Sequence, residues 1–303
     1  TEESTPPDIA TTTLVSLGVF FIPSELVIKC IYYKKITFSI MQYNMKSKDL
    51  KNIAEDLIET FKKAGDESIK IEKQGVKIKI KGDGSPVTNG DLRVNEIITE
   101  KIIQLTPNIP IISEETVDLK KKNTLNTFWL IDPIDGTKEY IAGKDEYTLN
   151  AGLIVNNLPA IGIIGVPKKD KIFYSFEKKN SFLVENNQVI KLDCRKKTPD
   201  GEVAALTNHE QPPELILKKL KEFGVTSFRK LSSSYKYCVI ATGEYDLYVD
   251  KVRAHEWDDA AGHAIAENAG AIVTSLENES FKYGKEDYKN PTILIRRSKN
   301  LNA

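Results

Sequence analysis

The chain has 303 residues, enough for one large domain or two packed subdomains. Lys+Arg and Asp+Glu each total 43, so the formal net charge is zero, which argues against a general nucleic-acid or membrane-surface binder. Cys30, Cys194 and Cys238 are widely spaced, as are His209, His255 and His263. They form neither a disulfide framework nor a zinc pattern, and they fit a reducing, cytoplasmic setting.

Residues 1–44 differ in character from the rest of the chain. They open on the acidic TEEST and carry an apolar run over 14–22 that Pro23 breaks, too short to span a bilayer. The only methionines are Met41 and Met45, just before the first strong helical pattern. The expectation is a leader over 1–44 outside the fold, then an α+β subdomain over 45–195 and an α/β subdomain over 196–303.

From residue 47 the periodicity predicts a helix over 47–64, with Leu50, Ile53, Ala54, Leu57, Ile58, Phe61 and Ala64 on one face and Gly65 as its stop. Residues 70–81 alternate as a strand does, 82–90 (GDGSPVTNG) read as a polar turn, and 91–105 as a second helix burying Val94, Ile97, Ile98, Ile102 and Leu105. An apolar run ends in paired acids at Glu114 and Glu115.

The stretch FWLIDPIDGTKEY comes next, and it is the most informative in the chain. Residues 128–131 read as a short buried strand, and the Asp132-Pro133-Ile134-Asp135 turn lets both carboxylates face one side with the Ile134 carbonyl between them. Gly136 permits close backbone approach, and Thr137 starts a helix whose free N–H groups favour a phosphate. A hard cation such as Mg²⁺ wants this all-oxygen set.

Residues 147–192 carry tight-turn signals at Asn156-Asn157, Lys169-Asp170 and Asn186-Asn187, the pattern of an antiparallel meander. Beyond them, strands at 202–206 and 246–249 alternate with helices at 213–223, 232–242 and 257–268. The last helix opens on Trp257-Asp258-Asp259, acids in a first turn. Each acid has a plainer role open to it: Asp91 as a helix cap, Glu114 and Glu115 in a solvated loop, Asp258 and Asp259 as complements to a helix dipole. Their joint occurrence in order points instead to a metal-phosphate site assembled from distant segments.

The ordered set SPVTNGD, SEE, WLIDPIDGTKEY and WDDAAGHAIAENAGA resembles the lithium-sensitive, magnesium-dependent phosphatases of the inositol monophosphatase superfamily, nearest the CysQ-type 3′(2′),5′-bisphosphate nucleotidases. Lys138-Glu139-Tyr140 and the segment Ser233, Ser234, Lys236 favour the nucleotidase branch. The resemblance implies a layered α-β-α-β-α sandwich, an α+β/α/β fold, and Mg²⁺ as cofactor, two or three ions. It implies Glu114, Asp132 and the Ile134 carbonyl as ligands of one ion, with Asp132 bridging to a second held by Asp135 and Asp258. Glu114 and Asp91 would hold a weaker third ion or orient the attacking water, which Thr137 positions while Asp91 accepts its hydroxyl proton.

Substrate contacts are implied at Gly136, Thr137, Asp258, Ser233, His209 and Lys236. The family arginine after the Asp246-Leu247-Tyr248 strand is absent, and Lys251 or Arg253 stands nearby instead. The implied activity is removal of the 3′-phosphate from adenosine 3′,5′-bisphosphate, extending to 3′-phosphoadenylyl sulfate; the alternatives are an inositol monophosphatase-like phosphomonoesterase and a catalytically silent metal- or phosphate-binding module. The partner is a small phosphorylated nucleotide, with neither nucleic acid nor stable membrane insertion.

Overall fold

The computed structural model describes residues 45–82, 84–196, 203–225, 227–250, 254–298 and 301. The expected leader over 1–44 and the basic pair Lys251 and Arg253 lie outside the described residues.

The first helical pattern forms two helices, α1 (Ser47–Asp56) and α2 (Ile58–Gln74). The second runs through Gly65, the expected stop, and ends at Gly75, whose φ is 101°. Gly65 is buried inside α2, where an added Cβ would lie 3.3 Å from the Pro167 ring. Its small size serves packing, not termination. The alternation over 70–81 yields only the short strand β1 (Ile78–Ile80), paired antiparallel to β2 (Pro86–Thr88) inside the expected polar turn. Helix α3 (Asn89–Leu105) follows and buries Val94, Ile97, Ile98 and Ile102, while Leu105 is half-buried.

A seven-stranded sheet then forms from β3 (Ile111–Ser113), β4 (Phe128–Asp135), β5 (Thr148–Val155), β6 (Leu158–Val166), β7 (Lys171–Phe176), β8 (Ser181–Glu185) and β9 (Gln188–Lys191), adjacent in chain order. Only the β3–β4 pair is parallel. The meander turns lie where expected: Asn156-Asn157 and Asn186-Asn187 form two-residue hairpins at positive φ, and Asp170, also at positive φ, closes the 3-10 turn Pro167–Lys169 between β6 and β7.

Short helix α4 (Thr137–Ile141) interrupts between β4 and β5. The second sheet has the order β11 (Phe228–Lys230), β10 (Ala205–Thr207), β12 (Leu247–Asp250), β14 (Ile293–Arg296) and β13 (Ile272–Ser275). Its helices are α5 (Glu214–Glu222), α6 (Tyr235–Ala241) and α7 (Glu256–Asn268).

The layering follows from the strand period. Gly162 and Gly165 of β6 are three apart and so face opposite sides. A Cβ on Gly165 would touch Phe61 of α2, whereas one on Gly162 would run into the Ala261 carbonyl oxygen of α7. Beside it, a Cβ on Gly152 would stand 2.9 Å from Ala260 Cβ. Glycines on β5 and β6 and alanines on α7 thus let that helix lie unusually close to the sheet.

Its other side, with α6, meets the second sheet in one core of Ile164, Phe173, Tyr237, Cys238, Ile265 and Ile295. Helix α5 covers the far face with Ile216 and Leu220. The result is the layered α-β-α-β-α sandwich of the expectation. Among the described residues no helix is long and apolar enough to cross a membrane.

Candidate active site

The β3–β4 ladder pairs Ser113 with Ile131, and the Glu114 N–H continues it to the Ile131 carbonyl at 3.0 Å. Glu114 and Asp132, the residues just beyond, therefore emerge side by side at one end of the sheet. The segment from Asp132 to Asp135 is not a turn but the last part of β4. Asp132 pairs with Asn150 and Asp135 with Thr148, so three steps on β4 oppose two on β5. This bulge changes the parity of the strand, so two acids three apart share a face. Pro133, which offers no N–H to the ladder, sits within it.

Gly136 then adopts the left-handed region with φ 92° and ψ 42°, which turns the chain into α4. That helix has only five residues. Thr137 Oγ1 lies 3.2 Å from the Ile134 carbonyl and 3.3 Å from Asp91 Oδ1, so its single proton has two acceptors.

Asp91 does cap its helix, as one open role suggested. Thr88 is the N-cap of α3, its hydroxyl accepting from the Gly90 and Asp91 N–H groups, while Asp91 Oδ2 accepts the Thr88 N–H at 2.8 Å and its hydroxyl. The cap occupies Oδ2 and leaves Oδ1 facing Thr137. Burial pushes the Asp91 carboxyl above its usual range, opposed by the hydrogen bonds from Thr88.

From the other side, α7 supplies Asp258 in its first turn, with Oδ2 accepting the His255 N–H at 2.8 Å. Glu114, Asp132 and Asp258 converge: each offers a carboxylate oxygen within 4.8 Å of the others. Asp132 is 2 % exposed, and among the described residues its Oδ1 has no hydrogen-bond partner. An orphaned buried carboxylate oxygen beside two further carboxylates is costly unless a cation meets it, so these residues fit a divalent ion. Burial first, then the charges of Glu114, Asp135, Asp258 and Asp91, pushes the Asp132 carboxyl well up. Burial, then Asp135, Asp259 and Glu114, does the same at Asp258.

Asp135 stands outside this set of three. Its Oδ2 accepts the Ser234 hydroxyl at 2.8 Å. Burial raises its carboxyl, while the charge of Lys236 and the hydrogen bonds from Ser234 hold it down.

The remaining expected substrate contacts have other positions. Lys236 is 6 % exposed, with Nζ donating to the Ser233 carbonyl at 3.0 Å and lying over the Tyr237 and Tyr248 rings. Ser233, at positive φ, is buried and donates to the Glu146 carbonyl. His209 is half-buried just past β10, its N–H donating to Thr207 Oγ1 at 3.2 Å.

Sequence reasoning missed Lys81 and did not assign Glu115. Lys81 Nζ donates to Glu114 Oε1 at 2.9 Å and Glu115 Oε1 at 3.0 Å. Burial, then the charge of Glu114, pushes the Glu115 carboxyl up to about 7, with Lys81 acting the other way. Nothing in the alternation around Lys81 distinguishes it from Lys77 or Lys79; only the fold brings it to the acids. A cleft of about 480 Å³ opens beside Glu114 and Asp258, lined also by Lys81, Ser85, Lys120 and His255.

Comparison with known proteins gives the family. The family model for the inositol monophosphatase family matches residues 47–302. A 3′(2′),5′-bisphosphate nucleotidase CysQ of Salmonella typhimurium is 33% identical over 217 residues, 71% of this chain and 87% of its own length. The crystal structure of CysQ from Bacteroides thetaiotaomicron aligns with a TM-score of 0.63 at 27% identity, over 80% of this chain and 96% of that one. An IMPase/NADP phosphatase solved with Mg²⁺ and phosphate shares the fold, with a TM-score of 0.68 at 18% identity over 82% of this chain and 92% of that one. A converging carboxylate set at a sheet end, the layered fold and a family match spanning nearly all the described residues place the chain in the inositol monophosphatase family.

Proposed function

We propose that the chain is a Mg²⁺-dependent phosphomonoesterase that removes the 3′-phosphate of adenosine 3′,5′-bisphosphate, giving AMP and phosphate, and that it also accepts 3′-phosphoadenylyl sulfate, a role in sulfate assimilation. The observation that carries the phosphatase reading is the convergence of Glu114, Asp132 and Asp258 around the unpartnered Asp132 Oδ1. The nucleotide specificity rests on the CysQ relatives.

A phosphate monoester repels an incoming nucleophile, so catalysis consists mainly of charge neutralisation and in-line placement. Mg²⁺ held by Glu114, Asp132, the Ile134 carbonyl, Asp135 and Asp258 would neutralise the phosphate, lower the pKa of water and stabilise the departing oxygen. The chain's own groups do the positioning. Asp91 Oδ1 draws the Thr137 hydroxyl proton, which turns the Thr137 lone pairs toward a water whose proton they accept. Thr88 holds Asp91 by its other oxygen, so this pair cannot rotate freely. Gly136 would let the backbone approach the phosphate, and His209 would contact the nucleotide, while Ser233 and Lys236, buried and bonded to the Glu146 and Ser233 carbonyls, would shape the site from behind. Li⁺ would inhibit by taking one of the cation positions.

The test is phosphate release by the purified chain from adenosine 3′,5′-bisphosphate, 3′-phosphoadenylyl sulfate and inositol 1-phosphate, each with Mg²⁺ and with EDTA. Mg²⁺-dependent release with preference for the two nucleotides is expected. Preference for inositol phosphate would reject the nucleotidase reading, and no release from any of the three would reject the enzyme reading.

A further inference from the structure

Lys81 lies at the end of the β1–β2 hairpin, where its N–H and the Ser85 carbonyl close the turn at 2.8 Å. Its ammonium reaches two adjacent carboxylates, Glu114 Oε1 at 2.9 Å and Glu115 Oε1 at 3.0 Å. The first of these acids belongs to the converging triad, so a protein cation already holds a side chain that the proposed metal needs. The second is the more deeply set: the Glu115 side chain is 3 % exposed, against 27 % for Glu114.

We infer that Lys81 is a built-in competitor for the metal site: its ammonium holds Glu114 in the metal-free protein and passes wholly to Glu115 when a divalent cation takes Glu114. This rests on the metal-site reading above. A buried carboxylate left without a partner is costly, as is a desolvated ammonium. The Glu114–Glu115 pair removes both costs from the exchange. Before loading, one ammonium screens two acids that would otherwise repel each other; after loading, the cation serves Glu114 and the ammonium remains paired with Glu115. Lys81 therefore positions Glu114 and sets how tightly the site takes its ion. It is not itself a catalytic residue.

Such an exchange produces a coupling that simple charge effects do not. Removing the ammonium frees Glu114 and should tighten cation binding. Neutralising Glu115 leaves Glu114 as the charged partner of Lys81 among the described residues and should weaken it. If Glu115 acts through Lys81, its effect disappears once Lys81 is gone.

The experiment is Mn²⁺ binding to the full chain, followed by electron paramagnetic resonance of the free ion, for the native protein, Lys81→Met, Glu115→Gln, the double variant and Lys120→Met. Lys120 lines the same cleft and serves as the control for net charge. The expected result is an Mn²⁺ affinity about fivefold tighter in Lys81→Met, the scale of one partly exposed ion pair. Glu115→Gln should be weaker than native, the double variant equal to Lys81→Met, and Lys120→Met within about twofold of native. Lys81→Gln repeats the measurement should the methionine variant fail to fold. Unchanged or weaker binding in the Lys81 variants overturns the inference, as does equal tightening in Lys120→Met or a Glu115→Gln effect that persists without Lys81. Absence of saturable Mn²⁺ binding by the native chain would overturn the metal-site reading as well, which separates the two failures.

Discussion

The Ser234 hydroxyl lies 2.8 Å from Asp135 Oδ2, joining residues 99 positions apart. The same oxygen touches the Asp258 carbonyl and accepts from Asn150 Nδ2 at 3.1 Å. One small side chain at the start of α6 thus ties the β4 bulge to the first turn of α7, the two elements that bring the acids together. Groups that orient metal ligands typically change metal affinity 10–100-fold when removed. Ser234→Ala should raise the Mg²⁺ concentration needed for half-maximal phosphate release about tenfold, with a modest fall in melting temperature as Asp135 and Asn150 lose a buried partner. An unaltered Mg²⁺ dependence would show that Asp135 needs no such tether.

Thr137 and Asp91 should behave as one unit. Thr137→Ala is expected to lower kcat by about 100-fold or more with KM nearly constant, the scale of a lost proton-transfer partner. Thr137→Ser, which keeps the hydroxyl, should recover much of the rate. Equal losses in Ala and Ser variants would point to the methyl group, and hence to packing, as the feature that matters.

Asp132→Asn offers two readouts of opposite sign. Turnover should fall at least about 100-fold. Stability of the metal-free protein should rise, because the Asp132 carboxyl is pushed well above its usual value near 3.8 by burial and by its acidic neighbours. A raised acid binds its proton more strongly in the fold than in the unfolded chain. Its destabilisation is therefore absent below that usual value and grows as pH rises through the window above it. Glu115, raised to about 7, acts in the same direction. His263, which burial holds neutral down to about 3, acts in the opposite direction below its usual 6.5. The comparison that isolates Asp132 is thus variant against native in EDTA. The variant should melt higher at pH 8, with a smaller advantage at pH 5. A lower melting temperature for the variant at pH 8 would contradict the strained acidic cluster.

Gly162 tests how α7 sets Asp258. Gly162→Val forces a side chain into the Ala261 backbone, an overpacking that costs about 1–3 kcal/mol and pushes the helix off the sheet. Denaturant midpoints should fall, and Mg²⁺ affinity should fall with them. Lost stability with unchanged Mg²⁺ affinity would mean that the N-terminal turn of α7 is anchored elsewhere, at the Glu256–Lys285 pair for instance, where the ions lie 2.8 Å apart.

What the sequence made legible was local chemistry. The turn signals at Asn156-Asn157, Asp170 and Asn186-Asn187 mark positive-φ positions because few residue types accept that backbone. The apolar period of α3 and the acids opening α7 were equally readable. Gly65 misled because a glycine that stops a helix and one that admits Pro167 are identical in sequence. Strands β11, β13 and β14 escaped notice because each has only three or four residues and depends on its neighbours for pairing. The bulge at Asp132–Asp135 was hidden for a related reason: parity along a strand is decided by the partner strand, here Asn150 and Thr148. Lys81 could not be singled out, since its importance comes from a hairpin folding back on two acids more than thirty residues away.

Acids just past β3, in β4 and in α7 converge, and the proposed chemistry depends on their holding divalent cations. Crystals soaked in Mn²⁺ and measured for anomalous scattering probe it without any assay of activity. A strong peak is expected between Glu114, Asp132 and Asp258, within coordination distance of the now unpartnered Asp132 Oδ1. A map with no peak there, or with Mn²⁺ bound only at other carboxylates, would contradict it.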